Sequence, residues 1–185
     1  MSSPGPDASP RALARDERGA ALIGWALILP VLLALSFGIL ETTLAMFSFQ
    51  RASEAARVAS RAGAIVDRIA NLDALAGGGS VICTGGSASV SCSGGTVVAP
   101  AGFAAVVAAA QQVWPGVQGS NIELTYEASG IGDASTPGGI VPIVQVRLLG
   151  LQYPLAALGA LPGMPDRITL PAFASRQIGA GSLPN

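Results

Sequence analysis

One run of residues constrains this chain more than any other. From Gly19 to Leu40 there are 22 residues without a charge, GAALIGWALILPVLLALSFGIL. At 1.5 Å per residue a helix of that length spans roughly 33 Å, the thickness of a bilayer's hydrocarbon core. A helix in a soluble core is rarely apolar on every face for so long. Beyond Glu41 the uncharged character resumes through Phe49. The expectation is a membrane-inserted helix over 19–49, with a core helix as the competing reading.

A cleaved secretory signal needs a basic start, a shorter apolar stretch and a small-residue cleavage site. Arg11, Arg15 and Arg18 supply the basic start. The apolar stretch is too long, and it runs into Phe47, Ser48 and Phe49 without an A-x-A site. Pro30 lies mid-run, where a missing donor and a steric clash predict a local kink. Membrane helices tolerate such prolines. Glu41, at the far end of the span, reads as a boundary residue at the interface, with a pairing role as the alternative. Orientation does not follow from charge. Three Arg precede the span, and Arg51, Arg57, Arg61 and Arg68 follow it.

Composition narrows the chemistry. The chain has 185 residues, half of them hydrophobic and 11% charged, against about a quarter charged in an average soluble domain. All ten basic residues are Arg, and there is no His. Without His there is no Ser-His-Asp or Cys-His pair and no His-ligated zinc, and two Cys cannot form a four-Cys site. Without Lys there is no phosphate-loop lysine and no Schiff base. No cofactor is expected. The net charge of −1 gives no reason to bind nucleic acid. The reading is therefore not an enzyme. A hydrolase using Glu123, Glu127 or Asp133 lacks a nucleophile or base beside a plausible partner.

The stretch from Arg18 through Gly19, Ala20, Gly24, Trp25 and Pro30, and the later Gly38-Ile39-Leu40-Glu41, resemble the start of TadE/TadG-like proteins of the Tad (Flp) pilus machinery. The resemblance implies a pilin-like (pseudopilin) subunit. A prepilin peptidase would cut after Gly19, leaving Ala20 as the mature N-terminus. Trp25 matches the family's aromatic residue. Gly24 stands where most members carry Glu, a residue thought to pair with the amino terminus of a neighbouring subunit. A buried amine without that partner is costly. The departure fits a minor subunit better than a repeatedly stacked major one. The partners implied are the lipid bilayer, other pilin-like subunits and the pilus assembly machinery.

Residues 50–76 read as a continuation of the helix. Ala52, Ala56, Ser60 and Ala64 recur every fourth residue, as do Ala55, Ala59 and Gly63. Small residues at that spacing permit close helix approach. The stripe serves either packing on its own domain or packing between subunits. Glu54 and Arg57 are placed to pair on the outer face.

Two short alternating runs flank Gly85-Gly86, predicting a hairpin or tight loop. They carry Cys83 and Cys92, which suggest one local disulfide, with reduced buried thiols as the alternative. A disulfide favours an extracytoplasmic position. Residues 100–114 predict a second helix, ended by Pro115-Gly116. Residues 121–128 alternate, placing Ile122, Leu124, Tyr126 and Ala128 on one face and Glu123, Thr125 and Glu127 on the other. Gly130 to Gly139 reads as a flexible connection. Residues 140–151 predict another strand, with Val144, Val146 and Leu148 inward. Residues 168–178 predict a last strand, at an edge because of Pro171. Glu123, Glu127, Arg147 and Arg176 then face each other as cross-strand charges. Gln152–Pro165 is greasy, and reads as a surface loop contacting membrane or a partner. Gly130-Ile131-Gly132 is followed by Ser135 where a dinucleotide motif needs Gly.

The fold class expected is α+β: a long N-terminal transmembrane helix continuing into a small extracytoplasmic domain with a short antiparallel sheet and one further helix. The organisation expected is a cytoplasmic leader over 1–18, a spanning segment over 19–49 and a domain over 50–185, single-pass in a bacterial inner membrane. The function expected is a minor pilin-like subunit or assembly component. The alternative is an anchored periplasmic binding domain unrelated to pili.

Overall fold

The computed structural model describes residues 17–86, 89–132, 140–156, 158–160 and 163–179. One helix dominates it. Helix α1 runs from Glu17 to Ile65 without interruption, and Pro30 lies inside it. Its N-terminal part touches almost nothing. None of its most apolar 18-residue window is buried, and it is long and apolar enough to cross a membrane. Its C-terminal part is the opposite. Ala52, Ala55, Ala56, Ala59 and Ser60 are all at most 1% exposed. A single helix thus goes from open to buried along its length, and its residue types change with it.

The rest of the chain is built around that buried end. A short helix α2 (Asp73–Ala76) precedes strands β1 (Ser80–Gly85) and β2 (Val90–Ser93). Helix α3 follows (Pro100–Val113), then β3 (Ile122–Gly132) and β4 (Ile140–Leu148). The chain closes with β5 (Gln152–Pro154), β6 (Arg167–Thr169) and β7 (Phe173–Ile178). Five strands form one antiparallel sheet in the order β2-β1-β3-β4-β7, and β5 pairs with β6 separately. Helices α1 and α3 pack against each other, and α1 also packs on β4 and β7. The α+β architecture is the one expected.

Each inward position has a physical reason. Ile122, Leu124 and Tyr126 on β3 and Val144, Val146 and Leu148 on β4 are all at most 1% exposed. They share one face because strand side chains alternate. The helix facing them presents Ala and Gly, so its backbone lies close to the sheet. A Cβ placed on Gly63 would sit 3.2 Å from Leu124 Cδ1 and 3.2 Å from Val144 Cγ1. The Tyr126 hydroxyl accepts a hydrogen bond from the Ile69 backbone N–H at 3.3 Å. Burial holds its pKa above the usual tyrosine value, partly offset by that bond and by Arg68.

Several expectations are corrected. The helix ends at Ile65 rather than continuing to residue 76. Residues 66–70 leave the helix, and Ile69 and Ala70 turn into the core. Alanine periodicity hides such a break, because nothing in it opposes a helix. Thr125 is 7% exposed rather than solvated, since its strand is flanked by β1 and β4 on both edges. Ala128 is exposed, where the β3–β4 register becomes irregular before Gly132. The stretch 168–178 is two strands in two sheets, with Pro171 in the break. Its second half, β7, is a sheet edge as expected. Asp133 and most of the Gly130–Gly139 connection lie outside the described residues.

Candidate functional site

The positions singled out in the sequence fall into three places. Gly19, Ala20, Gly24, Trp25 and Pro30 lie along the unburied half of α1. Trp25 is 63% exposed, and a Cβ on Gly19 or Gly24 would meet nothing within 4 Å. Ala21, Gly24, Trp25, Ile28 and Leu32 outline a shallow apolar notch there, where Gly24 contributes no side chain.

Gly38 and Glu41 lie one turn apart, and the fold brings both to the same segment. Glu41 is 5% exposed on a stretch of helix whose other side chains are open. One carboxylate oxygen accepts a hydrogen bond from the Ala156 backbone N–H. The other accepts from the Leu158 backbone N–H at 2.7 Å. One turn towards the N-terminus, a Cβ on Gly38 would lie 3.9 Å from Leu158 Cδ2. Among the described residues, the helix and the chain at Ala156 and Leu158 therefore clasp each other through a carboxylate and backbone amides. Of the two readings of Glu41, these bonds favour the pairing role. The signal was not in the sequence, because backbone donors 115 and 117 residues away leave no mark in residue identity.

The clasp continues into a groove. Leu35, Gly38, Ile39, Thr42, Met46 and Leu158 line an open volume of about 770 Å³ along the helix. The hydroxyls of Thr42 and Thr43 do not face a ligand. They donate to the carbonyls of Gly38 and Ile39, closing their own hydrogen bonds within the helix. Further along, Arg51 donates to the Val113 carbonyl at 2.7 Å and lies over the Phe47 ring. That contact ties the start of the buried half of α1 to the end of α3.

The third place is the sheet. Cys83 and Cys92 face each other across β1 and β2 and form a disulfide. On the polar face, Arg147 pairs with Glu123 at 2.7 Å and Arg176 with Glu127 at 3.8 Å. The first pair joins the adjacent strands β3 and β4, and the second reaches from β7 across β4 to β3. Among the described residues, no group of three or more His, Cys, Asp or Glu side chains is placed to hold a metal.

The small-residue stripe has an unambiguous destination. Ala52, Ala55, Ala56, Ala59, Ser60 and Gly63 pack on the chain's own sheet and α3. Ser60 donates to the Ser175 hydroxyl of β7 at 2.9 Å, or accepts from it. Packing between subunits through this face, one of the two expected uses, is corrected: the face is already filled.

These features define a class: one candidate spanning helix that continues unbroken into the core of a small disulfide-bonded α+β domain. The comparison with families agrees with that layout and makes it specific. Residues 19–61 match the family described as TadE-like protein, so the chain carries a TadE-like segment at its N-terminus. The match covers the open half of α1, Glu41 and most of the alanine face. No curated protein and no solved structure matches the chain.

Proposed function

We propose that this protein is a minor pilin-like subunit or assembly component of a Tad-type pilus. It is a structural protein rather than an enzyme, and it needs no cofactor. Its N-terminal helix holds it in the inner membrane as a single pass. Its domain lies outside the cytoplasm, where the Cys83–Cys92 disulfide persists. The observation that carries this reading is the TadE-like match over residues 19–61, coincident with a helix long and apolar enough to span a bilayer.

The open half of α1 is the part left for neighbours. Its side chains are exposed from Leu22 to Met46 apart from a few positions, whereas the alanine face is used within the chain. Gly24, standing where the family resemblance places Glu, removes a carboxylate that would pair with a neighbour's amino terminus. This favours a subunit present in few copies.

The N-terminus of the mature protein tests the proposal. Intact mass and terminal sequencing of membrane extracts are expected to give a chain beginning at Ala20, cut by a prepilin peptidase after Gly19. A chain beginning at Met1 or Ser2 would point instead to a permanently anchored binding domain or assembly platform. A start near residue 50 would refute membrane anchoring.

A further inference from the structure

The segment that Glu41 holds is uncharged throughout. No charged residue lies between Arg147 and Asp166, and Met164 is 52% exposed. Its height on the helix is fixed by the clasp. Leu158 sits at the level of Gly38 and the two amides at the level of Glu41. Counting from Gly19, those levels are roughly 29 and 33 Å along the helix axis. That is where a hydrocarbon core of about 30 Å would end if it began at Gly19. If the bilayer is displaced towards the domain, the segment lies deeper. Leu44, Met46 and Phe47 beyond Glu41 are exposed and apolar, and the first cation is Arg51. A core that begins at Gly19 puts Leu158 at the edge of the acyl region, and one displaced towards the domain puts it deeper.

The hydrogen bonding is of the kind such a place demands. Away from water, a carboxylate needs donors and a loop's amides need acceptors. Glu41 and the amides of Ala156 and Leu158 satisfy one another. We infer that the Glu41 clasp seats Ala156, Leu158 and the nearby exposed Met164 on the bilayer, making them a second membrane contact that docks the domain onto the lipid surface. The occupant of this surface is lipid acyl chain at the outer face of the membrane. This inference rests on the spanning reading of α1, and goes beyond it.

The test uses the full chain in lipid nanodiscs at one copy per disc. Both native cysteines are in the disulfide, so a single introduced cysteine takes a bimane label without reduction. Labels at Ala156→Cys and Met164→Cys report the segment. Leu32→Cys reports the span, and Arg61→Cys the exposed helix roughly 30 Å above Glu41. Lipids brominated high in the acyl chain are expected to quench the 156 and 164 labels at least about twofold, as an interfacial depth requires. The Arg61 label stays bright. Adding Glu41→Ala is expected to abolish quenching at 156 and 164 and leave it at 32. A quenched Leu32 label with unquenched 156 and 164 labels would overturn the inference while the span stands. Quenching at 156 and 164 that survives Glu41→Ala overturns it as well. So does shielding of these labels only in discs holding several copies, since the occupant is then a second copy. An unquenched Leu32 label removes the spanning helix itself, and the inference falls with it.

Discussion

Replacing Gly63 with Leu should destabilise the domain rather than merely impair its association with other chains. A single Cβ there would already lie 3.2 Å from Leu124 Cδ1, 3.2 Å from Val144 Cγ1 and 3.5 Å from Val106 Cγ2. All three neighbours are at most 1% exposed, and none has solvent to move into. The two valines are also stiff about χ1. Leu adds three further carbons beyond that Cβ. Overpacking of this kind costs about 1–3 kcal/mol, and more where neither side yields. Removing a mid-helix glycine returns about 1 kcal/mol of helix propensity. With rigid neighbours on three sides the upper end of that range applies, and the net expectation is a loss of about 2 kcal/mol, a large part of the stability of a small domain. Gly24→Leu on the same helix meets nothing within 4 Å and should leave domain stability unchanged. The assay is urea unfolding of the full chain in detergent micelles, followed by Trp114 fluorescence. Trp25→Phe silences the other of the two tryptophans. Trp114 packs against the core and so reports its loss. If Gly63→Leu left the unfolding midpoint in place but abolished association with partner chains, the alanine face would belong to a neighbour. The packing described for α1 would then be wrong.

Two further predictions concern the domain. Cys83→Ala with Cys92→Ala opens a short loop that bridges the two strands, and the chain-entropy relation puts the loss at about 2.7 kcal/mol. The same urea titration should show a lower midpoint, and an unchanged one would mean the hairpin is ordered without the bond. Tyr126 is buried with its pKa raised, by burial first. Its contribution is complete below the unfolded tyrosine pKa of about 10 and is lost as pH rises from there to the folded value, by at most about 1.4 kcal/mol per pH unit. Stability measured against pH should therefore fall above that point, and Tyr126→Phe should lower the baseline but flatten the slope. A slope unaffected by the substitution would assign the alkaline loss to another group.

Much of this architecture is written in local patterns. The charge-free run from Gly19 to Leu40 dictates a long apolar helix whatever follows it, because no other structure satisfies so many backbone groups away from water. Alternation on β3 and β4 sets which side chains face inward, since strand geometry fixes the period at two. Gly85-Gly86 announced a hairpin, but Gly85 is itself paired with Val90, and only the strand register sets Cys83 opposite Cys92. That Glu123, Glu127, Arg147 and Arg176 share a polar face followed from the same alternation, whereas which carboxylate meets which Arg was decided by the strand order.

Other features depend on residues far apart in the chain, and local patterns are silent about them. The spacing of Ala52, Ala55, Ala59 and Gly63 says that something approaches closely. Only the packed sheet decides that the neighbour is the chain itself. The break after Ile65 is likewise imposed by Ile69 turning into the core, against a local sequence content to stay helical. Glu41 is the clearest case. Its identity and its place at the end of the run were plain from the sequence, but its partners among the described residues include backbone amides more than a hundred residues away. Amides carry no sequence signature, so only the tertiary structure could turn a carboxylate at the edge of an apolar helix into a clasp.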